Sequence, residues 1–363
     1  MNDEIQIERS GPVLVVGGYG TVGGELARLA APRWPLVLTG RSPERGETVA
    51  AETGAELRRW DLAAPAPFRA RARAVVSTVN DPHDRVLRAA MRGGVPYVDV
   101  TRWTSRLKRA VAVAALADPA SPVLLSSGWM GGVSAIVAAW LAEQADGAES
   151  GVEPGVESVE IAVRYDLEDR AGADSVEFMD RLGLDYEVMA GGREQLVMPL
   201  SDAGFVEIGG HRTKVGRIDT PEQFTLPLTL GVDTAVTRIG FSANSSTSAL
   251  LALKKTGFFR WGRGDRLRAV RRSLLHSPGE GGSAMLRIDV RGRGGRVLRA
   301  TVTDPAGQAH LTALGGLLGL RWALGEDGTT PVAGVAFPEQ RPAPGAAIAA
   351  LQRAGVRVEV EAS

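Results

Sequence analysis

Along the first 125 residues, hydrophobic positions fall in short unbroken runs separated by stretches with helical spacing. Val13–Val16 is continuously apolar, as a strand buried on both faces of a sheet should be. The same pattern predicts strands at residues 36–39 and within "GAELRRWDL", "RAVVSTVN", "VPYVDVT" and "SPVLLSSG". It predicts helices over residues 21–31, 83–92 and 106–117. Strand and helix in strict alternation predict an α/β fold with a doubly wound parallel sheet.

Past Gly147 the pattern changes. "DGAESGVEPGVES" is polar and glycine-rich, the composition of an exposed connection. The runs "SVEIAVRYD", "GFVEIGG", "TAVTRIGFS", "AMLRIDVRG" and "RVLRATVTD" then alternate apolar and polar residues. That period predicts an antiparallel sheet covered on one face. Helical patches are expected at 174–190, 245–259 and 308–324, and His211 and Lys214 in a solvated hairpin turn. The last segment, "GAAIAALQRAGVRVEVE", reads as helix then strand. The domain expectation is residues 1–125 for the parallel sheet, 126–335 for an inserted α+β domain, and 336–363 as a return to the first.

Composition removes several classes of chemistry. The 42 basic residues balance 42 acidic ones, so no global field attracts nucleic acid or a membrane surface. With no cysteine there is no disulfide and no thiolate nucleophile or ligand. The four histidines are scattered without metal-ligand spacing, and no metal is expected. The amino-terminal "MNDEIQIERS" is too charged for a signal peptide. The uncharged stretch 119–142 is broken by Pro122 and "SSGWMGG", so it reads as strand, turn and helix. The expectation is a cytoplasmic protein with a small-molecule substrate.

The chemistry starts at "VLVVGGYGTVGGELARLA". Gly18, Gly20 and Gly23 form G-x-G-x-x-G between a buried strand and an amphipathic helix, the setting that gives this short motif its value. There, glycines permit the tight turn, the approach of backbone amides to a pyrophosphate, and close helix–strand packing. Tyr19, Thr21 and Val22 complete the cradle. An NAD site carries an acid at the end of the second strand; this chain has "TGRSPERG" instead. Gly40 leaves room, and Arg41, Ser42 and Arg45 suit a 2′-phosphate, which favours NADP over NAD. Asp61 and Leu62 flank the expected adenine position. Ser77, Thr78, Val79 and Asn80 run beneath the ribose and nicotinamide.

At the reactive end, Asp99 is placed to orient a water or a substrate nitrogen, with capping or burial as its structural alternative. His83, just past the fourth strand, is the second candidate for proton transfer. Arg102 is a carboxylate clamp by position, and Arg164 and Arg170 share that reading. Trp103, Trp129 and Met130 are candidate walls of the substrate pocket. Asp174 is either a helix cap or a contact to a substrate amine. None of Tyr19, Tyr97, Tyr165 or Tyr186 starts a Tyr-x-x-x-Lys motif, and no Ser-His-Asp spacing occurs.

Taken together, "VVGGYGTVG", "LTGRSPERG", "VVSTVND", "AAMRGGVPYVDVTRW" and "SSGWMGGVSAIVAAWLA" resemble, in that order, the saccharopine dehydrogenase-like reductases. The tail, "TVTDPAGQAHLTALGG" and "PVAGVAFPEQ", has the same look. The resemblance implies an N-terminal Rossmann domain, an inserted α+β domain whose sheet often mediates dimers, and NAD(P)H-dependent reduction of an imine. A C=C reductase and a non-catalytic NADP-binding regulator are the alternatives. Relatives often carry Pro-Gly where this chain has Met130-Gly131-Gly132. The absence of cysteine argues against saccharopine itself as substrate.

Overall fold

The computed structural model describes residues 3–126, 128–145, 155–169, 181–261, 279, 281–326 and 328–362. The chain divides into two compact units, Met1–Val133 with Thr312–Pro342, and Ser134–Leu311 with Ala343–Ser363.

The first unit is built on a seven-stranded sheet in which every pairing is parallel. In chain order its strands are β2 (Val13–Val16), β3 (Leu36–Gly40), β4 (Glu56–Arg59), β6 (Ala74–Ser77), β7 (Tyr97–Asp99), β8 (Pro122–Leu125) and β17 (Gly334–Ala336). Their spatial order is β17-β8-β7-β6-β2-β3-β4. The chain leaves β2 toward β4 and then crosses back to β6, so the direction of winding reverses between β2 and β6. A crevice opens at the carboxyl ends of strands at such a reversal. Each residue of β2 is buried, as an unbroken VLVV run between two helical layers requires.

Helices α1 (Thr21–Ala30), α2 (Glu47–Thr53), α3 (Arg85–Arg92) and α4 (Thr104–Ala117) connect the strands. Leu26, Ala27 and Ala30 of α1 pack with Val13, Val15, Leu36 and Leu38, and Ala313 and Leu320 of the helix Gln308–Ala323 join the same core. Six sheet strands were legible from their apolar runs. The seventh, β17, is three residues long and half-buried, too short to register as a pattern. A separate parallel pair, β1 (Glu4–Ile7) with β5 (Arg69–Ala72), was equally hidden by its charged residues.

The second unit carries another seven-stranded sheet, in the order β12-β13-β14-β9-β15-β16-β18. These strands are β9 (Val156–Tyr165), β12 (Gly204–Ile208), β13 (His211–Arg217), β14 (Thr234–Phe241), β15 (Ala284–Gly292), β16 (Val297–Asp304) and β18 (Arg357–Ala362). Along β15 and β16 buried and half-exposed residues alternate, as the period-two sequence requires. His211 does open a hairpin strand, paired with β12.

Three expectations need correction. The sheet is mixed, because β14 runs parallel to β9. Residues 186–190 form no helix: Tyr186–Ala190 pairs with Arg193–Val197 around Gly191 and Gly192, both with positive φ. Alternating Tyr186 and Val188, both buried, fit a pleated strand better than a helix. Finally, the return to the parallel sheet ends at Pro342. The terminal helix and strand belong to the second unit, where β18 pairs along β16 from Leu298 to Thr303. An open edge on β16 offers that strand backbone partners. The expected connection around residues 146–154 lies outside the described residues.

One buried ion pair shapes the edge of the first unit. Arg85 donates to both carboxyl oxygens of Asp3, at 2.9 and 2.8 Å, and to the carbonyls of Asp61, Leu62, Ala64 and Ala66. Burial opposes the Asp3 charge, but the Arg85 and Phe68 hydrogen bonds and the charges of Arg85 and Arg92 outweigh it, holding the carboxyl below its ordinary value. This guanidinium therefore fixes the loop after β4, the expected adenine flank. Arg85→Met strands Asp3 and four carbonyls. We expect it to cost roughly 3–5 kcal/mol in urea unfolding; a loss below about 1 kcal/mol would contradict the assignment.

Candidate dinucleotide site

The glycine loop separates structural from open positions. Gly17 has a φ of +83°, and a Cβ there would fall 2.9 Å from the Thr78 hydroxyl. A Cβ on Gly18 would fall 2.8 Å from Leu38 Cβ. On Gly23 it would strike the backbone of Gly17 and lie 2.8 Å from Thr78 Oγ1. These glycines allow β2, β3, β6 and α1 to converge. Gly20 differs: its φ is −74°, it is exposed, and a Cβ would meet only the Gly17 carbonyl oxygen, at 3.3 Å. The position facing outward from the loop is thus glycine without an internal reason. It is also the N-cap of α1, which starts with no side-chain cap. Uncapped amides and the positive end of the helix dipole are what a phosphate needs.

Across the sheet, Thr78 underpins this loop. Its hydroxyl lies 3.0 Å from the Val16 carbonyl oxygen and 3.3 Å from that of Gly17, both acceptors. Ser77 is fully buried, whereas Val79 and Asn80 are half-buried. At the tip of β3, Gly40 and Ser42 are half-buried and Arg41 and Arg45 exposed. Asp61 is half-buried and accepts the Ala63 N–H at 3.0 Å, a local turn, with Leu62 half-buried beside it.

Beyond β6 and β7 the structure corrects the sequence reading. Asp99 has no exposed surface and Arg102 only 2%. Asp99 accepts from the Tyr97 hydroxyl at 2.5 Å, Arg102 Nε at 2.7 Å, and the Thr101 N–H and hydroxyl at 2.9 Å. Arg102 Nη1 donates to Asp84 at 2.5 Å, and Arg109 Nε reaches the other Asp84 oxygen at 2.9 Å. A carboxylate so enclosed cannot meet a substrate, so Asp99 and Arg102 support the site and do not perform its chemistry. Burial opposes the charge on Arg102, but Asp99, Tyr97 and Asp84 together raise its pKa. Burial and the Asp99 charge raise that of Tyr97, which stays protonated as donor.

The same arginines, together with Arg106, clamp the loop after β6. Arg106 donates to the Asn80 side-chain oxygen and, at 2.7 Å, to the Asp81 carbonyl; Arg109 reaches the Pro82 carbonyl at 2.6 Å. Sequence reasoning missed this clamp. Its signal was the arginine spacing 102, 106 and 109, which places successive guanidinium groups on one side of α4 and the turn before it. His83 stands exposed on the clamped loop. Trp103 is half-buried as the N-cap of α4. Trp129 is half-buried and Met130 buried, and Met130, Gly131 and Gly132 all have positive φ. A Cβ on Gly131 would fall 2.6 Å from the Thr312 carbonyl oxygen, so this turn, where relatives often have Pro-Gly, is tightly packed. Arg164 belongs to the second unit, half-buried near the carboxyl end of β9 between Gly240 and Met285. Asp174 and Arg170 lie outside the described residues. Among the described residues no acidic–histidine group could hold a metal, and no helix is long and apolar enough to cross a membrane.

Comparison with known proteins agrees with this geometry at the level of fold. A saccharopine dehydrogenase (L-Glu forming) from Saccharomyces cerevisiae superimposes with a TM-score of 0.66 at 12% identity, covering 97% of this chain and 100% of that one. A myo-inositol dehydrogenase from Corynebacterium glutamicum gives 0.41 at 14% identity, covering 96% and 98%. No family model and no curated protein matches the sequence. The chain has a saccharopine dehydrogenase-like fold: a Rossmann unit and a second α/β unit.

Asp84 carries the clamp, and its carboxyl tests it. Burial raises its pKa, but the hydrogen bonds and charges of Arg102 and Arg109 prevail and hold it below the ordinary 3.8. The stability it contributes is therefore complete above that value and is lost as pH falls through the lower folded one. Asp84→Asn keeps the shape and tolerates the left-handed backbone, with φ of 54°. We expect a loss of roughly 1.5–3 kcal/mol at pH 7 and a shallower decline in acid. Urea unfolding from neutral to acid pH measures both; an unchanged acid limb would remove Asp84 from the role.

Proposed function

We propose that this protein is an NADP-dependent oxidoreductase that reduces an imine of an amino-acid-derived or secondary-metabolite substrate. The observation that carries the reading is Gly20, an outward-facing glycine of ordinary backbone angle at an uncapped helix start beside the strand reversal. The residues present fit the dinucleotide. The loop from Tyr19 to Gly23 would take the pyrophosphate, and Arg41 and Arg45 at a tip without a terminal carboxylate suit a 2′-phosphate. Asp61 and Leu62 would flank the adenine, and Val79 and Asn80 would lie along the nicotinamide ribose. The saccharopine dehydrogenase-like fold supports nicotinamide chemistry, and the imine class follows from the resemblance in sequence.

When bound, NADPH would supply the hydride that the imine carbon needs. The protein must then deliver one proton to the imine nitrogen, giving an amine. Asp99 is enclosed, so we assign this delivery to His83, exposed at the carboxyl edge of β6 on a loop that three arginines hold rigid. No covalent nucleophile is required, consistent with the absence of cysteine.

Two measurements test these assignments. Gly20→Val places a branched side chain where the pyrophosphate would approach, at the cost within the protein of one tight Cβ contact, 3.3 Å, to the Gly17 carbonyl oxygen. Calorimetry should show NADPH binding lost and the melting temperature retained; unchanged affinity would refute the site. Mixtures of amino acids and oxo acids, screened for NADPH consumption, should identify a substrate. On it, His83→Gln should lower turnover by roughly 10²–10⁴-fold with NADPH affinity unchanged. Wild-type turnover in that variant would move proton delivery to another group.

A further inference from the structure

Two glycines at the tip of β3 have no backbone reason to be glycine. Neither Gly40 nor Gly46 has a positive φ. At Gly40 what excludes a side chain is the Tyr19 ring; at Gly46 it is that ring together with Leu57. A Cβ on Gly40 would fall 2.5 Å from Tyr19 Cζ, and one on Gly46 would fall 2.7 Å from Tyr19 Cδ1. Tyr19 leaves the glycine loop and lies along this tip, its ring packed on the core cluster that includes Leu38 and Val49. Its hydroxyl accepts the Ser42 N–H at 3.1 Å.

That hydroxyl still has a proton to donate. Burial is the largest influence on it and raises its pKa; the Ser42 hydrogen bond, Arg41 and Arg45 only partly offset this, while Glu44 adds to it. The phenol therefore stays protonated at neutral pH. Arg41 and Arg45 bring positive charge to the same turn, and Glu44 is the opposing charge. A neutral donor on the same turn as two exposed arginines matches an anion with several acceptor oxygens.

We propose that Tyr19 is a cofactor-specificity residue whose hydroxyl donates to the 2′-phosphate of NADP, beside Arg41 and Arg45. This rests on the dinucleotide reading above and deepens it. The phosphate is read by a side chain from the loop that cradles the pyrophosphate, as well as by the arginines beyond β3. Glycine at 40 admits that ring, and glycine at 46 admits the ring and Leu57 together.

The test is calorimetric titration of the full chain with NADPH, NADH and adenosine 2′,5′-bisphosphate. Tyr19→Phe keeps the ring and removes the donor. It should weaken NADPH and the bisphosphate by about ten-fold while NADH changes by less than about two-fold. Arg41→Ala should show the same selectivity. Gly40→Ala should weaken NADPH in the wild-type background and add nothing to Tyr19→Ala, because the clash it creates is with the ring. Equal losses for NADPH and NADH in Tyr19→Phe would make the hydroxyl purely structural and overturn the proposal. An unchanged NADPH affinity would overturn it as well, as would a wild-type preference for NADH. Wild-type protein that binds neither nucleotide would instead overturn the dinucleotide reading on which the proposal stands.

Discussion

The buried ion network Asp84–Arg102–Asp99 holds the carboxyl edge of the parallel sheet in place. It links the loop after β6, the tip of β7 and the start of α4 through one guanidinium whose side chain has no exposed surface. Removing such charges from water is costly, and the mutual attraction offsets that cost only when the remaining hydrogen bonds are made. Here they are: Tyr97, Thr101 and Arg109 complete the carboxylates. The gain is less in net stability than in fixed geometry. With the network closed, the segment from Asn80 to Asp84 has one arrangement, and His83 rides on it. The second buried pair, Asp3–Arg85, does the same for the loop after β4. Two ion pairs thus set the loops after β6 and β4, strands that lie on opposite sides of β2.

Glycine does the complementary work at the ends of β2 and β3. Gly17, Gly18 and Gly23 are demanded by the convergence of strands and helix, Gly40 by the Tyr19 ring, and Gly46 by that ring and Leu57 together. Gly20 is demanded by neither, which is why it carries the functional reading. A motif written as G-x-G-x-x-G treats its glycines alike; the contacts around each set Gly20 apart as the least crowded, the one the proposal assigns to a ligand.

Much of this was legible in the chain, for definite reasons. A strand buried on both faces shows as an unbroken apolar run, so β2, β3, β6, β7 and β8 could be read directly, and alternation exposed β9, β15 and β16. What escaped was decided by partners distant in sequence. The addition of β18 to β16 depends on an open sheet edge that no local pattern records. The helical reading of Tyr186–Ala190 gave way to a hairpin closed by Gly191 and Gly192. At the candidate site, Gly18, Gly20, Gly23 and the arginines near β3 stand out in the sequence because their spacing is local. The burial of Asp99 was not, since it arises from Tyr97, Thr101 and Arg102 folding around it together. Arg85 and Asp3, 82 positions apart, gave no local signal at all.

The central claim is that the carboxyl edge of the parallel sheet, between the glycine loop and the β3 tip, is a dinucleotide site. Amide hydrogen exchange of the full chain with and without saturating NADPH tests it most directly. The account predicts added protection in the segments 17–24, 40–46 and 77–84. Absence of protection there, or protection confined to the sheet of the second unit, would contradict it.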